Sequence, residues 1–393
     1  MDDGGNVDSI YLDFQKAFDS VPHERLLTKL EGYGITDLAL KWIKKFLKER
    51  RQQVLVNGAK SGWSKVLSGI PQGSVLGPVL FVIYINDMPD SIENLIQMFT
   101  DDTKLYAQVN NDEDSKSLQE DVNRLEEWAN KWQIRFNATK CKVMHLGKEN
   151  LQKPYYMTSS NKDEVTLEET LVEKDLGVYV DKDLSFSHHI QQGIAKANKL
   201  LGLIRRSMKY LNKDSQKYLF TSLVRPHLEY GNIIWSPTLQ SHINNLEKIQ
   251  RRATKMVPEL KDITYEERMK EMRLPSLAYR RMRGDVIEMY KYTHGIYDVS
   301  KKPFQLDPDS SRRNNGCKLF KRRWKTPART NFFGNRVLNS WNALPSEVVQ
   351  APTLNSFKRR LDNHWREYTY TLDVRTIQHK TNSQTDLTGS QQN

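Results

Sequence analysis

Phe99-Thr100-Asp101-Asp102 separates two runs of residues that each predict a short β-strand. The run before it is apolar and begins at Leu95, and the run after it alternates from Lys104 to Val109. This pattern places the two carboxylates at the bend between paired strands. Aspartate is also common in turns that have no catalytic role. The pair alone therefore leaves a structural and a catalytic interpretation open.

A third carboxylate favours the catalytic interpretation. Asp13 interrupts the apolar run from Ile10 to Phe14, where an unpaired carboxylate would be costly to bury. Carboxylates brought together from separate strands suit hard cations such as Mg²⁺. Two ions held in this way activate a hydroxyl nucleophile and stabilise a leaving pyrophosphate. The sequence therefore predicts a phosphoryl-transfer site.

Composition narrows the classes of partner and compartment. The chain has 393 residues, a formal net charge of +12 and two cysteines, Cys141 and Cys317. The length allows two or three domains, and the positive charge favours nucleic acid over a membrane as the partner. Two cysteines exclude a disulfide framework, so we expect an intracellular protein of the nucleus or cytoplasm. The start of the chain lacks the pattern of a secretory signal, and the most apolar stretch, Val75–Ile85, is too short to span a membrane. The position of Asp13 close to Met1 suggests that an upstream part is missing.

Between the carboxylates, the sequence predicts helices near Glu24–Leu30 and Asp37–Lys48, followed by a strand over Arg50–Val56 that turns at Asn57-Gly58. The segment Ser68-Gly69-Ile70-Pro71-Gln72-Gly73-Ser74 then lets the backbone approach a ligand closely, although an ordinary connection would also suit it. Val75–Asp87 is predicted to form a buried helix. Leu118, Val122, Leu125, Trp128 and Trp132 predict a helix that packs on the sheet.

Three segments together closely resemble core motifs of reverse transcriptases. They are Tyr11–Asp19, Ser68–Pro78 and Phe99–Asp102, and they are most similar to those of non-LTR (LINE-type, jockey-like) retrotransposons. The resemblance is strongest over residues 10–145, which include Trp128–Lys140, and it continues through Leu176–Val178, Gln250–Lys255 and Arg280–Asp285. It departs at Thr100, where the family most often has alanine.

This resemblance implies roles for individual residues. Asp13, Asp101 and Asp102 would be the catalytic residues and would bind two Mg²⁺ ions, with Mn²⁺ as an alternative. The nucleotide pocket would include Phe14, Phe18, Gln72, Gly73 and Lys140, with Phe18 beneath the sugar to reject a 2′-hydroxyl. Leu176 and Gly177 would contact the primer. Phe18 as a plain core aromatic and Lys140 as a surface lysine remain open alternatives.

The resemblance also implies a fold and a division into domains. The expected class is α+β: a polymerase palm of three or four antiparallel strands backed by helices, then a helical thumb and a mostly helical carboxy-terminal region. The expected domains are a palm without fingers (1–183), the thumb (184–260), a basic region (261–372) and a disordered tail (373–393). Thumb residues expected to bind nucleic acid are Lys196, Arg205, Arg206, Arg251 and Arg252, although solvated helix faces would look the same. Basic and aromatic residues interleave in Lys318–Arg329, which suits nucleic acid or a structural role equally.

The implied activity is RNA-directed DNA polymerisation, a two-metal transfer of a nucleotide from a deoxynucleoside triphosphate to a primer 3′-hydroxyl. Its partners would be an RNA template, a DNA primer and deoxynucleotides, with no membrane and no obligate protein partner. The alternative is a catalytically inactive retrotransposon remnant that at most binds nucleic acid. The intact carboxylates favour the enzyme, whereas the missing fingers favour the remnant.

Overall fold

The computed structural model describes residues 5–159, 163–299, 302–307, 317–322 and 324–372. The chain divides between Leu171 and Val172 into two compact units. The predicted disordered tail, residues 373–393, lies outside the described residues. Within the described ranges, no helix combines the length and the apolar character needed to cross a membrane.

The first unit combines helices with a central sheet and small hairpins. Its helices are α1 (Ala17–Ser20), α2 (His23–Gly32), α3 (Asp37–Leu47), α4 (Leu76–Ile85) and α5 (Asp112–Trp132). Its strands are β1 (Val7–Leu12), β2 (Arg51–Gln52), β3 (Leu55–Val56), β4 (Ala59–Lys60), β5 (Ser64–Lys65), β6 (Leu95–Phe99), β7 (Asp102–Gln108), β8 (Lys142–Leu146), β9 (Tyr156–Thr158), β10 (Glu164–Thr166) and β11 (Glu168–Glu169).

The central sheet has five strands in the order β11-β8-β1-β7-β6. β1 lies in the middle and pairs antiparallel with both β7 and β8, while the short β11 runs parallel to β8. Ile10 faces Leu105 on one side and Val143 on the other, and all three side chains are buried. The predicted mixture of helices and sheet is confirmed, with one parallel strand that the sequence did not predict.

Helix α5 packs its predicted apolar stripe into this core. Leu118, Val122 and Leu125 are fully buried, and Trp128 is nearly so. The helix begins where the Asn111 side chain accepts a hydrogen bond from the backbone N–H of Asp114, which satisfies one of the donors left open at a helix start. The cap therefore stabilises the start of α5, and the apolar stripe holds one face of this amphipathic helix against the core.

Two other predictions need correction. The strand predicted over Arg50–Val56 is split, because β2 pairs with β5 while β3 pairs with β4 across the predicted turn, where Asn57 and Gly58 both have positive φ. Helix α4 is buried on one side only, since Val79 and Val82 are about half exposed. Its unbroken apolar run gives no amphipathic pattern from which the exposed face could be predicted.

The second unit is mostly helical. It opens with the hairpin β12 (Val172–Asp175) and β13 (Val178–Asp181). Its helices are α6 (Ser187–Ser207), α7 (Lys213–Leu219), α8 (Pro226–Glu229), α9 (Gln240–Lys255), α10 (Tyr265–Glu271), α11 (Leu277–Thr293), α12 (Pro327–Asn331), α13 (Phe333–Arg336), α14 (Leu338–Asn342), α15 (Ser346–Val349) and α16 (Leu354–His364).

Helix α11 organises much of this unit through ion pairs as well as apolar packing. Arg280 donates two hydrogen bonds to the carboxylate of Glu229, and Arg283 donates two to that of Asp362. Forked guanidinium–carboxylate pairs fix geometry because two parallel bonds must form together. These arginines, which look like a basic patch in the sequence, therefore hold helices of the unit to one another.

Candidate active site

The two aspartates of the central motif lie at the tip of the β6–β7 hairpin. Phe99 pairs with Asp102, so Thr100 and Asp101 form the turn between the strands. Thr100 has φ of 57°, a left-handed conformation that is strained for a β-branched residue. The tight turn leaves Asp101 and Asp102 exposed at the end of the sheet.

The register of the sheet brings Asp13 to the same end. Leu12 at the end of β1 pairs with Thr103 of β7, so the next residue on each strand is Asp13 on one side and Asp102 on the other. Residues directly opposite in an antiparallel pair have Cβ atoms roughly 4.5–5.5 Å apart. Asp13 and Asp102 are therefore far apart in the sequence but neighbours in the sheet.

The electrostatics of Asp13 reflect this arrangement. Burial raises the pKa of the Asp13 carboxyl, the positive charge of Lys140 acts against that rise, and the negative charge of Asp101 adds to it. Lys140 Nζ lies 3.9 Å from Asp13 Oδ1. A cation bound between Asp13 and Asp101 would relieve their repulsion.

Lys140 reaches this position because its loop is fastened to Asp13. The backbone N–H of Asn137 donates to the carbonyl of Asp13 at 2.7 Å, and the N–H groups of Lys140 and Cys141 both donate to the carbonyl of Asn137. Cys141 is fully buried, and burial raises the pKa of its thiol to about 12. The thiol therefore remains protonated near neutral pH and serves packing rather than chemistry.

A cavity of about 400 Å³ opens beside Asp101. Three residues predicted for the nucleotide pocket line it: Phe18, Gln72 and Gly73. The rest of its described lining comes from the same motifs and consists of Asp101, Lys16, Ala17, Pro71 and Pro78. Its volume lies within the range of about 300–1,000 Å³ that small-molecule sites occupy.

The loop that forms one wall of the cavity is held closely against the segment after Asp13. The N–H of Gly69 donates to Val21, the N–H of Ile70 donates to Phe18, and the side chain of Gln72 donates to Asp19 Oδ1 at 3.1 Å. Gly69 has φ of 89°, and a Cβ there would lie 2.7 Å from the backbone of Asp19. Only glycine allows this approach without displacing the backbone.

The two aromatic residues predicted for the nucleotide pocket take different places. Phe18 lines the cavity and stacks on Phe81 with ring centroids 4.7 Å apart. Phe14 is buried, stacks on Phe136 at 4.5 Å, and is absent from the cavity lining that the structure describes. The ring of Phe14 thus belongs to the core that supports the site.

The carboxylates at this end of the sheet suit a Mg²⁺ site with two protein ligands better than one in which protein groups surround the ion. Within the described residues, no group of three or more His, Cys, Asp or Glu side chains is arranged to hold a metal ion. Mg²⁺ is usually bound by one or two protein carboxylates together with substrate phosphates and water. The adjacent carboxylates of Asp13 and Asp101 fit that mode.

Sequence comparison identifies the family. Residues 5–218, more than half of the chain, match the model of the family described as reverse transcriptase (RNA-dependent DNA polymerase). The chain belongs to the reverse transcriptase family. All residues of the hairpin tip, the cavity and the Lys140 loop lie inside the matched range.

Relatives of this reverse transcriptase chain include polymerases of non-LTR mobile elements. It is 31% identical over 260 residues to the RNA-directed DNA polymerase from mobile element jockey of Drosophila melanogaster. It is 29% identical over 266 residues to the probable RNA-directed DNA polymerase from transposon X-element of the same species. Each alignment covers 63% of this chain, and the chain spans about 28% of the length of these curated relatives. The predicted LINE-type resemblance is confirmed.

Solved telomerase structures share a weaker similarity with this reverse transcriptase chain. The telomerase of Candida albicans, in complex with a fragment of telomeric RNA, is 11% identical with a TM-score of 0.36, over 69% of this chain and 51% of that one. The telomerase of Candida tropicalis is 11% identical with a TM-score of 0.37, over 94% and 50%.

The residues predicted to contact the primer form the tip of the β12–β13 hairpin in the second unit. Asp175 pairs with Val178, and Leu176 and Gly177 between them both have positive φ, as a tight two-residue hairpin turn requires. The hydroxyl of Tyr230 donates to the carbonyl of Leu176 at 2.8 Å. The turn is therefore fixed by a contact within its own unit.

The residues predicted to bind nucleic acid lie on two packed helices of the second unit. They are exposed, and their members are Lys196, Arg205 and Arg206 on α6 and Arg251 and Arg252 on α9. Arg252 donates to Asn198 Oδ1 of α6 at 2.5 Å, which joins the two helices on this side. Their exposure leaves the guanidinium groups accessible to phosphates.

One further residue of the candidate site was not predicted from the sequence. Lys16 lines the cavity with Phe18 and Asp101 and has φ of 52°, just before α1 begins. The available signal in the sequence was its position within the Tyr11–Asp19 motif, five residues before Val21-Pro22. Lysine is too common at exposed positions for that signal to stand out.

Proposed function

We propose that this chain carries out RNA-directed DNA polymerisation at the cavity beside Asp101. The observation that carries the proposal is the meeting of Asp101, the neighbour of Asp13, with Phe18, Gln72 and Gly73 around one opening. A pair of carboxylates beside a nucleotide-sized cavity suits phosphoryl transfer, which depends mainly on positioning and charge neutralisation.

Asp13 and Asp101 would hold magnesium ions through their carboxylates, with Asp102 supporting them at the turn. Bound magnesium supplies activation of the primer 3′-hydroxyl and neutralisation of the triphosphate charge. Lys16 lines the cavity, and Lys140 lies beside Asp13, so both ammonium groups are placed to attract an anionic substrate. This balance of charge favours a nucleoside triphosphate as the substrate class.

Phe18 would select the sugar of the incoming nucleotide. Its ring is held against Phe81, so it cannot easily withdraw from the cavity that it lines. A fixed ring beneath the sugar would clash with a 2′-hydroxyl and favour deoxynucleotides. Gln72 and Gly73 also line the cavity and would contact the same nucleotide.

The remaining regions would guide the nucleic acid. The polymerase palm would comprise residues 1–183 and the thumb residues 184–260, with a basic carboxy-terminal region after them. The exposed basic residues of α6 and α9 would contact phosphates of the RNA template and DNA primer, and Leu176 and Gly177 would contact the primer end. Such phosphate contacts position a duplex without reading its sequence.

Primer extension with paired variants tests this proposal. Purified protein would extend a labelled DNA primer on an RNA template with Mg²⁺ and deoxynucleotides. Asp101→Asn should abolish extension, because it removes a carboxylate from the metal-binding pair. Asp90→Asn removes the charge of another exposed aspartate of the first unit and should extend at the wild-type rate. Failure of the wild type to extend, with salt-sensitive binding of the template-primer retained, would support the inactive remnant instead.

A further inference from the structure

A second cavity, of about 240 Å³, lies in the second unit outside the range that matches the family. It is formed by residues 302–305 and by parts of 319–338. Four aromatic rings and three cations contribute to its lining: Phe304, Phe320, Trp324, Phe332, Lys302, Arg322 and Arg329. The proposed polymerase activity makes no use of these residues.

The arginines of this cavity contact rings. The guanidinium carbon of Arg329 lies 4.9 Å from the ring centroid of Trp324 and 5.1 Å from that of Phe332. The guanidinium carbon of Arg322 lies 5.9 Å from the ring centroid of Phe320. Arg322 also donates a hydrogen bond to Gln305 Oε1, and none of these contacts neutralises the positive charge of the two arginines.

The charge balance of the cavity differs from that of the ion pairs elsewhere in this unit. Arg280 forms an ion pair with Glu229, and Arg336 donates hydrogen bonds to both carboxylate oxygens of Asp285. None of the residues that line the cavity in the described ranges is acidic. Cations grouped without carboxylates in the lining favour an anionic ligand.

The size and the exposed rings define the ligand further. Phe320 is 44% exposed and Phe332 is 39% exposed, so each ring offers surface to a ligand. A volume of 240 Å³ falls below the range of about 300–1,000 Å³ typical of sites for larger cofactors. A single planar base fits these limits, and aromatic rings beside arginines are the arrangement that stacks unpaired bases in single strands.

We propose that this cavity binds one unpaired base of a single-stranded nucleic acid, with an adjacent phosphate held by Arg322 and Arg329. The base stacks on Phe320, the more exposed of the two rings, and the strand continues over the exposed basic surface at Lys302. This site goes beyond the proposed polymerase function, because it needs neither Asp13 nor Asp101 and no bond is made or broken in it.

Binding of fluorescein-labelled 12-nucleotide strands to the full chain, followed by anisotropy, tests the site. Single-stranded DNA, single-stranded RNA and an abasic strand of equal length and charge are compared. The wild type should bind the strands with bases about five- to a hundredfold more tightly than the abasic strand. Phe320→Leu should remove most of this preference, because it deletes a stacking ring while leaving the charge intact, and Phe320→Trp should restore it.

The charge of the site is tested in parallel. Arg322→Met should weaken binding of base-containing and abasic strands alike and lower the slope of log affinity against log salt by about one. Arg366→Met makes the same chemical change at an exposed arginine outside the cavity lining and should bind as the wild type does. Thermal unfolding of each variant at the wild-type temperature excludes loss of folding as the cause.

Two results would overturn the proposal. One is an unchanged preference for bases in Phe320→Leu, and the other is displacement of the strand by equimolar adenosine monophosphate, which would assign the cavity to a free nucleotide. Asp101→Asn should fail in primer extension yet keep the full preference for bases. Failure of the polymerase proposal and failure of this site are therefore separate outcomes.

Discussion

Replacing Lys29 by methionine should lower the free energy of unfolding of the first unit by about 3 kcal/mol. Lys29 lies on α2 with its side chain only 3% exposed. Its ammonium group donates hydrogen bonds to the carbonyl of Tyr84 and to the carboxylate of Asp87. Breaking a buried ion pair on one side typically costs 3–5 kcal/mol, because the remaining charge loses its partner.

The surroundings of Lys29 place the expected cost at the lower end of that range. Its Nζ lies 3.8 Å from a ring centroid of Trp132 and 4.8 Å from that of Trp128, so methionine also loses cation–π contacts. Asp87 is 29% exposed and keeps a hydrogen bond from Trp128 Nε1 at 3.0 Å. Water and this indole can therefore partly compensate the carboxylate left behind, while methionine preserves the packing of the aliphatic stem.

Urea unfolding followed by tryptophan fluorescence measures the cost. Lys131→Met is the matched control, since Lys131 contacts the same Trp132 at 5.6 Å but is exposed. Loss of this exposed contact should change stability by less than about 0.5 kcal/mol. The midpoint should shift for Lys29→Met with little change in the slope against urea. Equal midpoints for the two variants would refute the reasoning.

The pH dependence of the free energy of unfolding gives an independent test of the environment of Lys29. Burial lowers the pKa of Lys29 from 10.5, and the hydrogen bond with Asp87 opposes part of that change. Between the lowered value and 10.5, the unfolded chain holds a proton that the folded chain has lost, so stability rises with pH. The stability advantage of the wild type over Lys29→Met should therefore widen as pH rises through this window, and a constant difference would contradict it.

Three further predictions concern the candidate active site. Thr100→Asn should stabilise the first unit by about 1 kcal/mol in urea unfolding, because asparagine tolerates left-handed φ, whereas the β-branched Thr100→Val should give no gain. Carbon-detected NMR titration should show that Asp101→Asn lowers the pKa of Asp13, because the change removes a negative neighbour. Lys140→Met should raise the pKa of Asp13, because it removes a positive neighbour. Shifts in the opposite directions would contradict the site geometry. Phe18→Ala should reduce discrimination against ribonucleotides in primer extension by tenfold or more, on the order of 1.4 kcal/mol, and unchanged discrimination would assign Phe18 to the core alone.

The sequence predicted the parts of the fold that depend on local patterns. The β6–β7 hairpin follows from an apolar run before Asp101-Asp102 and an alternating run after it, and α5 follows from apolar residues at steps of three and four. Both patterns arise because neighbouring residues in sequence must present one face to the core. Of the residues that the family motifs predicted for the nucleotide pocket, Phe18, Gln72 and Gly73 line the cavity, whereas Phe14 and Lys140 are not part of its described lining.

Other features depend on partners that are distant in sequence, and no local pattern reports them. Asp8 looks like an ordinary polar residue in a strand, yet it is fully buried and accepts hydrogen bonds from Tyr155 at 2.6 Å and Asn150 at 2.7 Å. Arg280 and Arg283 look like nucleic-acid contacts, yet each is paired with a carboxylate more than fifty residues away. Only the folded chain distinguishes such structural charges from available ones.

Incorporation of a single nucleotide on four RNA templates that differ only in the templating base tests the central claim most directly. Each template-primer is incubated with Mg²⁺ and one deoxynucleotide at a time, with Asp101→Asn as the blank. The wild type should add only the deoxynucleotide complementary to the template base, and the variant should add none. Addition that ignores the template base, or addition that survives in Asp101→Asn, would contradict RNA-directed polymerisation at this site.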